Sequence, residues 1–394
     1  MKLLYVANAR IPTEKAHGVQ IMKMCEAFVQ CGLEMELVVP FRVQTAQMRQ
    51  VKDVWSYYGV EPRFKLRRLP SLDLLWTIRW MPIQYVLFYI QALTFFPCAV
   101  GYCLWHGSDV VYTRGWMFVL LWSLVRWVRG HTLVLEEHTF PHRGGWGAWL
   151  HLWASRHTDR LVVITHRLKE RYVAAGIPAE RVLVAPDGVD LAQFEPPVDR
   201  AEARKQLGLP LQAKIVCYTG HLFEWKGVYV LIDAALHIPE ALFLAVGGMA
   251  EDRERLRSYA AEQSVENVHV IAHVSPIEVP TFLFAADVLV LPNPGREPIS
   301  REYTSPLKLF EYMASGTPIV ATDLPSVREI LYDGDNAVLV TPGEPQALAA
   351  GIQRVLSHAE LAAHIGRRAR ANAAQHTWME RARRIERFCL NSKG

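Results

Sequence analysis

The 394-residue sequence predicts an α/β protein of two doubly wound domains that face a central cleft. Strands alternate with helices through the first half, which is typical of a parallel sheet. The same alternation begins again after a proline- and charge-rich connector near residue 195. The chain is also too long for one ordinary hydrophobic core, so two domains are expected. Open parallel sheets bind ligands beyond the carboxyl ends of their strands.

The first half opens with a strand, "KLLYVANAR", and a glycine-bearing loop, "IPTEKAHG". A helix, "VQIMKMCEAFVQCG", and a second strand, "EMELVVP", complete the unit. Further apolar strands follow, in the order "DVVYTR", "TLVLEEH", "RLVVIT" and "RVLVAPDGVD". This arrangement predicts a first Rossmann-like domain over residues 1–193.

The second half repeats this organisation after the connector "FEPPVDRAEARKQLGLP". Its predicted strands are "KIVCYT", "LFLAVGG", "VHVIAH", "DVLVLP", "PIVAT" and "AVLV". An amphipathic helix, "TWMERARRIERFCL", follows the completed sheet. We therefore expect a second domain over residues 194–375 and a separate C-terminal helix over residues 376–394.

The composition excludes some partners and indicates a compartment. The net charge of +4 is too small for a dedicated nucleic-acid binder, which would carry a basic stripe. The six cysteines are scattered and show neither a zinc pattern nor a disulfide framework, so a reducing cytoplasm is expected. The first residues are predicted to form a strand and not a signal peptide.

The stretch from residue 80 to 108 contains no Asp, Glu, Lys or Arg. Its length would suffice to cross a bilayer, but prolines interrupt it and it lies inside the first domain. Cations flank it at Lys65, Arg67, Arg68 and Arg79. Two interpretations stay open: burial within the domain, or peripheral contact of the 65–105 region with the cytoplasmic face of a membrane.

The stretch "SPLKLFEYMASG" predicts a helix with a misplaced cation. Ser305 suits the N-cap, Pro306 the first helical position and Gly316 the C-terminal cap. Lys308 would then lie in the first turn, where the helix dipole disfavours positive charge. An anion bound at the free N–H groups would explain this lysine. Alternatively, Lys308 is an ordinary solvated surface residue.

A second lysine, Lys226, falls at another predicted loop-to-helix junction, directly before Gly227. Two such lysines at one edge of a sheet indicate a polyanionic ligand such as a diphosphate. His221 could add a hydrogen-bond donor or be an ordinary loop residue. Glu311, one turn after Lys308, could accept hydrogen bonds from a vicinal diol such as ribose, or form a simple Glu–Lys helix pair.

These segments resemble a known family. "GHLFEWKG", "ADVLVLP", "PDGVD" and "SPLKLFEYMASGTPIVATDLPSVREIL" are similar to motifs of family 4 glycosyltransferases, which have the GT-B fold. The resemblance implies two Rossmann-like domains and a C-terminal helix that crosses back to the first. It also implies retaining transfer from a nucleoside-diphosphate sugar, bound mostly by the second domain, to an acceptor held by the first. No metal or other cofactor is implied.

The resemblance assigns roles residue by residue. Lys226 would meet the diphosphate, Glu311 the ribose, and His138 the region near the donor sugar, and these three are the predicted catalytic residues. The loop around Val274 would flank the base, and the loop of Gly18 would approach the diphosphate. The remaining predicted donor-binding residues are Gly220, His221, Tyr303, Ser305, Pro306, Leu307, Lys308 and Leu309.

The sequence departs from the family pattern at two positions. Tyr303 stands where a second glutamate is common, with Glu302 and Glu297 as neighbouring substitutes. His221 replaces a usual arginine, for which Arg301 or Lys308 would have to compensate. The Asp333-Gly334-Asp335 triplet is better explained as a turn than as a metal site.

Two other functions use the same fold and stay open at this point. A sugar-nucleotide epimerase would need no separate acceptor, and a non-catalytic subunit would bind the nucleotide sugar without turnover. A dinucleotide oxidoreductase is disfavoured because the first loop lacks G-x-G-x-x-G. The aromatic first domain favours an envelope polysaccharide or glycolipid acceptor.

Overall fold

The computed structural model divides the chain into two compact units, and it describes residues 1–75, 81–128, 130–141, 144–303 and 305–390. Unit 1 comprises Met1–Pro186 and Trp378–Gly394, and unit 2 comprises Asp187–Thr377. Arg79 and Trp80, expected beside and within the apolar stretch, lie outside the described residues.

The division falls a few residues from the predicted limits at 193 and 375. Asp187 and the residues just after it belong to unit 2 because they form hydrogen bonds and pack there. The amide of Val189 donates to the carbonyl of His376 at 2.9 Å. Phe194, at the end of the 3-10 turn Leu191–Phe194, is buried in the core of unit 2. The connector therefore begins inside the second unit.

Unit 1 contains a seven-stranded parallel sheet in the order β3-β2-β1-β4-β5-β6-β7. Its strands are β1 Lys2–Val6, β2 Glu34–Pro40, β3 Lys65–Leu69, β4 Val110–Thr113, β5 Thr132–Glu137, β6 Arg160–Val163 and β7 Val182–Val184. Its first helices are α1 Ala16–Gln30, α2 Val54–Tyr58, α3 Met81–His106, α4 Trp116–Ser123, α5 Trp146–Arg156 and α6 His166–Ala174.

Unit 2 contains a six-stranded parallel sheet in the order β10-β9-β8-β11-β12-β13. Its strands are β8 Lys214–Thr219, β9 Ala241–Val246, β10 Val268–Ile271, β11 Val288–Leu291, β12 Ile319–Thr322 and β13 Val338–Val340. Its helices are α7 Arg200–Gln206, α8 Val228–Ala235, α9 Ala250–Glu262, α10 Val279–Ala285, α11 Pro298–Arg301, α12 Leu307–Ser315, α13 Pro345–Ser357 and α14 Ala359–Ala373.

The apolar stretch forms α3, a 26-residue helix with Pro97 in its interior. By length and composition its segment Pro82–His106, with a mean hydropathy of 1.6, could cross a membrane. One face of α3 is part of the core of unit 1, with Phe95, Phe96 and Cys103 almost fully buried. Nearly half of the apolar window is buried in this way. The helix is therefore an integral element of the α/β unit.

Three cations of the flanking segment form the edge strand β3. Lys65, Arg67 and Arg68 are all exposed there, and Arg67 pairs with Glu36 of the neighbouring strand at 3.1 Å. Charged side chains on an edge strand discourage pairing with other chains.

The C-terminal helix, α15 Trp378–Leu390, belongs to unit 1, as the GT-B resemblance implied. It packs against α1 and β6, and Arg160 lies 5.1 Å from the centre of the Phe388 ring. Arg381 reaches the sheet and pairs with Glu136 of β5 at 3.1 Å, both side chains being almost fully buried. This buried ion pair ties the chain terminus to the centre of the unit.

We expect Arg381→Met to lower the free energy of unfolding by about 3–5 kcal/mol, because it leaves the buried carboxylate of Glu136 without its cation. Urea unfolding followed by circular dichroism measures the change. Arg383→Ala is the matched control on the same helix: its exposed pair with Glu380 should contribute about 1 kcal/mol or less. Equal losses in the two variants would contradict a structural role for the buried pair.

Candidate functional site

The loops at the carboxyl edge of the unit 2 sheet are fixed by glycines in conformations that other residues rarely adopt. Gly220, directly after β8, has φ +124°, and Gly247, after β9, has φ +121°. A Cβ on Gly247 would lie 2.4 Å from the carbonyl oxygen of Gly220. The two loops therefore run against each other without side chains between them, which keeps this edge open to a ligand.

Lys226 ends the 3-10 turn Glu224–Lys226, and Gly227 follows it as the N-cap of α8. Gly227 has φ +82°, and a Cβ there would lie 1.8 Å from the carbonyl oxygen of Pro292. The glycine thus lets the start of α8 approach the end of β11. The ammonium of Lys226 lies 4.0 Å from the centre of the Trp225 ring, and burial lowers its pKa to about 8.

Lys308 is in the first turn of α12, and its ammonium is buried and has no hydrogen-bond partner among the described residues. The Nζ atom lies 3.5 Å from the centre of the Tyr218 ring, and a Cβ on Gly220 would lie 2.9 Å from it. Burial and the nearby charge of Lys226 hold the pKa of Lys308 well below its ordinary value. Lys308 is therefore not a solvated surface lysine.

Glu311 lies one turn further along α12. Burial raises the pKa of its carboxyl group to about 7, and the charge of Lys308 opposes this rise. Lys308 interacts electrostatically with both Lys226 and Glu311, so the three residues lie near one another, as the motif spacing predicted. Each of the three groups is displaced from its ordinary protonation equilibrium, which is common at ligand sites.

The start of α12 differs slightly from the prediction. The helix begins at Leu307 with Pro306 as its N-cap, and no side chain caps it. Ser305, predicted to be the N-cap, instead accepts a hydrogen bond from the amide of Asp187 at 3.0 Å. The proline ring imposes φ −75° just before the helix, so the backbone turns one residue later. Gly316 is the C-cap in the left-handed conformation, as predicted.

The other predicted donor-binding residues of unit 2 lie in the same loops. The His221 ring stacks on Phe223 with 5.0 Å between ring centres, and its carbonyl accepts a hydrogen bond from Tyr218 at 2.6 Å. Leu309 is buried in the core beneath α12, so only its backbone can face a ligand. Val274, after β10, packs partly against the same core.

Two tyrosines outside the predicted set hold this arrangement. Tyr218 lies under the ammonium of Lys308, and the hydroxyl of Tyr312 accepts a hydrogen bond from the amide of Thr219 at 2.8 Å. The second contact ties α12 to the end of β8. Tyr218 could have been found from its position just before Gly220, whereas the partner of Tyr312 is 93 residues away and required the fold.

In unit 1, His138 directly follows β5 and pairs with Glu136, with 2.5 Å between Nε2 and Oε1. Gln20 of α1 donates to the same carboxylate at 2.7 Å, and Tyr112 also donates to it. Burial would raise the pKa of Glu136, but Arg381 and His138 hold it well below its ordinary value. The carboxylate therefore orients the His138 ring.

Gly18 lies inside the first turn of α1 and not in the preceding loop, because the helix begins at Ala16, before the predicted start. A Cβ at this position would lie 2.5 Å from both Thr13 and the hydroxyl of Tyr58. A glycine is therefore required for the start of α1 to pack closely against Thr13 and against Tyr58 of α2.

Comparison with known proteins identifies the family. Residues 199–372 match the family described as "Glycosyl transferases group 1", and residues 16–188 match the "Glycosyl transferase 4-like domain". Together the two matches cover most of the chain. The chain belongs to the family 4 glycosyltransferases.

Individual relatives agree with this assignment. A D-inositol 3-phosphate glycosyltransferase of Xylanimonas cellulosilytica is 32% identical over 57% of this chain and 55% of the relative. The protein of the same name from Corynebacterium kroppenstedtii is 27% identical over 77% of this chain and 71% of the relative. The chain thus spans about half the length of the Xylanimonas relative. It also spans 50% of the D-inositol 3-phosphate glycosyltransferase of Acidothermus cellulolyticus.

Solved structures share the GT-B fold of this glycosyltransferase chain. Sucrose-phosphate synthase from Thermosynechococcus elongatus has a TM-score of 0.79 at 20% identity, over 99% of both chains. HepE from Anabaena, in complex with UDP and glucose, has a TM-score of 0.75 at 19% identity, over the whole of both chains.

The structure describes the surroundings of Tyr303, one of the two departures from the family pattern. Tyr303 is 1% exposed, so its side chain forms part of the interior in this structure. Glu302 pairs with Arg301 at 2.9 Å, whereas Glu297 is exposed before α11. Of the two glutamates, Glu297 is thus the one exposed to solvent.

The Asp333 and Asp335 carboxylates have structural partners. Asp333 accepts a hydrogen bond from the amide of Leu339 at 2.9 Å, and Asp335 pairs with Arg368 at 2.8 Å. Over the described ranges, no group of three or more His, Cys, Asp or Glu side chains could hold a metal ion. All six cysteines are free thiols.

The raised pKa of Glu311 leads to a prediction about stability. Between about pH 4.5 and 7 the folded protein holds a proton on Glu311 that the unfolded chain has lost, so the unfolding free energy falls as pH rises through this window. Relative to Glu311→Gln, the wild type should lose up to about 3 kcal/mol between pH 4.5 and 8. Urea unfolding at several pH values measures the difference. If the difference in unfolding free energy between the wild type and Glu311→Gln were the same at all these pH values, the pKa of Glu311 would not be raised in the folded protein.

Proposed function

We propose that the protein is a retaining glycosyltransferase that moves a sugar from a nucleoside-diphosphate sugar to an acceptor hydroxyl. The observation that carries this proposal is the pair of lysines, Lys226 and Lys308, at two helix N-termini on one edge of the unit 2 sheet. Both cations lie in the positive field of a helix, which is favourable only when an anion is bound. The family membership supports transfer over epimerisation or binding without turnover.

The diphosphate of the donor would supply the missing negative charge. Its approach would favour the protonated forms of Lys226 and Lys308, whose pKa values are low in the ligand-free protein. Protonation of Lys308 would in turn favour the ionised form of Glu311. The ionised carboxylate can accept two hydrogen bonds from the ribose diol of the nucleotide. The three residues would thus respond to the ligand together.

Lys226, Lys308 and the N-terminus of α12 would stabilise the negative charge on the leaving diphosphate. In the reaction the bond between the anomeric carbon and the phosphate oxygen breaks, and its electron pair stays on the diphosphate. The acceptor oxygen forms the new bond on the same face of the sugar and passes its proton to the departing phosphate oxygen. Positioning of the two substrates would supply much of the remaining acceleration.

The test is to incubate the protein with UDP-, GDP- and ADP-sugars, with and without candidate acceptors, and to measure nucleoside diphosphate. Release that requires an acceptor supports the transferase, whereas an isomerised donor supports an epimerase. Binding of nucleotide sugar without either product supports a non-catalytic subunit. We propose that no metal is needed, so turnover should be unchanged in excess EDTA.

We expect Lys226→Ala to lower turnover by two or more orders of magnitude, because it removes a cation from the leaving diphosphate. The fold should be unaffected, as judged by thermal melting. Lys214→Ala is the matched control, since Lys214 is exposed at the opposite end of β8. Near-normal turnover of Lys226→Ala would rule out the assigned role.

We also propose that the protein acts in the cytoplasm, in peripheral contact with an anionic membrane through α3. The outer face of this helix exposes Tyr85, Tyr89 and Leu93, which follow each other at intervals of four residues. These three are between 48% and 62% exposed, and the helix contains no Asp, Glu, Lys or Arg. The neighbouring cations of β3 complement anionic lipids. Such a contact fits an acceptor that belongs to a glycolipid or envelope polysaccharide.

Replacing Tyr85, Tyr89 and Leu93 together by serine should reduce cosedimentation with phosphatidylglycerol vesicles at least tenfold, because it removes apolar area from the interface. The same replacement should leave turnover of a soluble acceptor unchanged. A triple variant at Leu211, Leu236 and Tyr332, which are exposed on unit 2, is the control. Undiminished binding of the α3 variant would contradict this orientation.

A further inference from the structure

Unit 1 contains a cluster of cations that the donor site does not explain. The loop between β1 and α1 carries Arg10 and Lys15, and His17 lies in the first turn of α1. Arg42 and Arg114 approach them from the ends of β2 and β4. Beside it is a cavity of about 270 Å³ within unit 1, which Asn8, His17 and Arg114 line together with apolar residues. The apolar part of the lining is formed by Ala7, Ala9, Ile21, Phe88, Phe96, Gly115, Trp116 and Met117.

The cluster holds more positive than negative charge. Arg10 forms two hydrogen bonds with the carboxylate of Glu14, at 2.9 and 3.0 Å. Arg42 lies 3.5 Å from Asp73. Two carboxylates thus face four permanent cations, and Lys15 makes no side-chain hydrogen bond to any described residue. The carboxylate of Glu136 is already paired with Arg381, so it does not neutralise this cluster.

The N-terminus of α1 adds partial positive charge to this excess of cations. Lys15 is the N-cap of α1, a 15-residue helix with no acidic residue in its first turn and no side-chain cap. The partial positive charge of the helix N-terminus therefore repels the same cations. Burial, with further contributions from Arg114, Lys15, Arg10 and Arg42, lowers the pKa of His17 to about 3. The neighbourhood thus strongly disfavours a further positive charge.

Buried polar atoms without hydrogen-bond partners concentrate at the same place. Both polar side-chain atoms of Asn8, the Nε atom of Arg10 and Oε1 of Gln44 are buried and have no hydrogen-bond partner within the described part of the chain. Gln44 belongs to the cluster because its amide nitrogen donates to the carbonyl of Ile11 at 3.2 Å. Buried polar groups are almost always satisfied in native proteins, so this concentration fits a polar ligand. Its acceptor atoms would face Arg10 Nε and Asn8 Nδ2, and its hydroxyl groups would face the oxygens of Asn8 and Gln44.

We propose that this cluster binds a phosphate group on the acceptor substrate. The proposal rests on the glycosyltransferase function, in which unit 1 holds the acceptor. Arginine guanidinium groups match phosphate oxygens in pairs, and Arg10 and Arg42 each have N–H groups beyond those that contact Glu14 and Asp73. The apolar wall formed by Phe88, Phe96 and Trp116 would contact the less polar part of the same molecule. The acceptor is then a phosphorylated sugar, cyclitol or lipid and not a neutral glycan.

The test measures binding directly and does not depend on turnover. D-inositol 3-phosphate and glucose 6-phosphate are titrated calorimetrically into the full chain, with inositol and glucose as the neutral counterparts. We expect each phosphorylated compound to bind at least tenfold more tightly than its neutral counterpart, also when UDP is present in saturating amounts. Equal affinity of the phosphorylated and neutral compounds would overturn the proposal.

Lys15→Gln and Arg42→Gln should each reduce the preference for the phosphorylated compound at least threefold, and the double variant at least tenfold. Lys15 is exposed, so its replacement should not disturb folding. Arg126→Gln, on an exposed arginine of the same unit, is the control and should change nothing.

UDP affinity separates an acceptor site from a donor site. It should stay within twofold in all these variants. A parallel loss of UDP affinity, or displacement of the phosphorylated compound by UDP, would assign the cluster to the donor and overturn the proposal. If the phosphate preference is found but no nucleotide sugar is turned over, the anion site stands and the glycosyltransferase proposal fails.

Discussion

The parallel order of the two sheets is the constraint on which the candidate sites depend. Because all strands of a sheet run the same way, the helices that follow them begin at one edge, and their partial positive charges accumulate there. At that edge of unit 2 the chain adds Lys226 and Lys308, and in unit 1 it adds Arg10, Lys15 and Arg42. In both units this placement costs stability in the ligand-free protein. Binding of the proposed anions would offset this cost.

Close backbone packing makes room for this arrangement. Gly227 lets the start of α8 contact the end of β11, and Gly247 lets two loops pass each other without side chains. Tyr218 and Tyr312 then fix Lys308 and α12 against the end of β8. The cations are therefore held in place before a ligand arrives, so little conformational entropy remains to be lost on binding.

Unit 1 combines a structural centre with the two surfaces proposed for the acceptor and for a membrane. The buried pair of Glu136 and Arg381 joins the sheet to the C-terminal helix, and the same carboxylate orients His138. The outer face of α3 exposes large apolar side chains, whereas its inner face belongs to the core. An acceptor that carries both a phosphate and an apolar part would match the charged cluster and the aromatic wall beside it.

Local sequence patterns were enough to predict the alternation of strands and helices, the repetition of the fold, and the positions of Lys226, Lys308 and Glu311. These patterns are apolar runs, glycines at turns, and a lysine at the start of α8 and of α12. It also indicated the family, through motifs that lie within short segments. The starts of α1, which contains Gly18, and of α12 differ from the predicted starts by a few residues, because the ends of a helix depend on its contacts with other parts of the chain.

Contacts between side chains that are far apart in the chain could be identified from the folded structure alone. Glu136 and Arg381 are far apart in the chain, as are Thr219 and Tyr312, and no local pattern pairs them. The burial of Tyr303 and the convergence of Arg10, Arg42 and Arg114 likewise depend on how the loops pack. The local sequence determines which residues lie at the edge of a sheet. Packing determines which of these residues are buried without a hydrogen-bond partner, and such residues mark the candidate ligand sites.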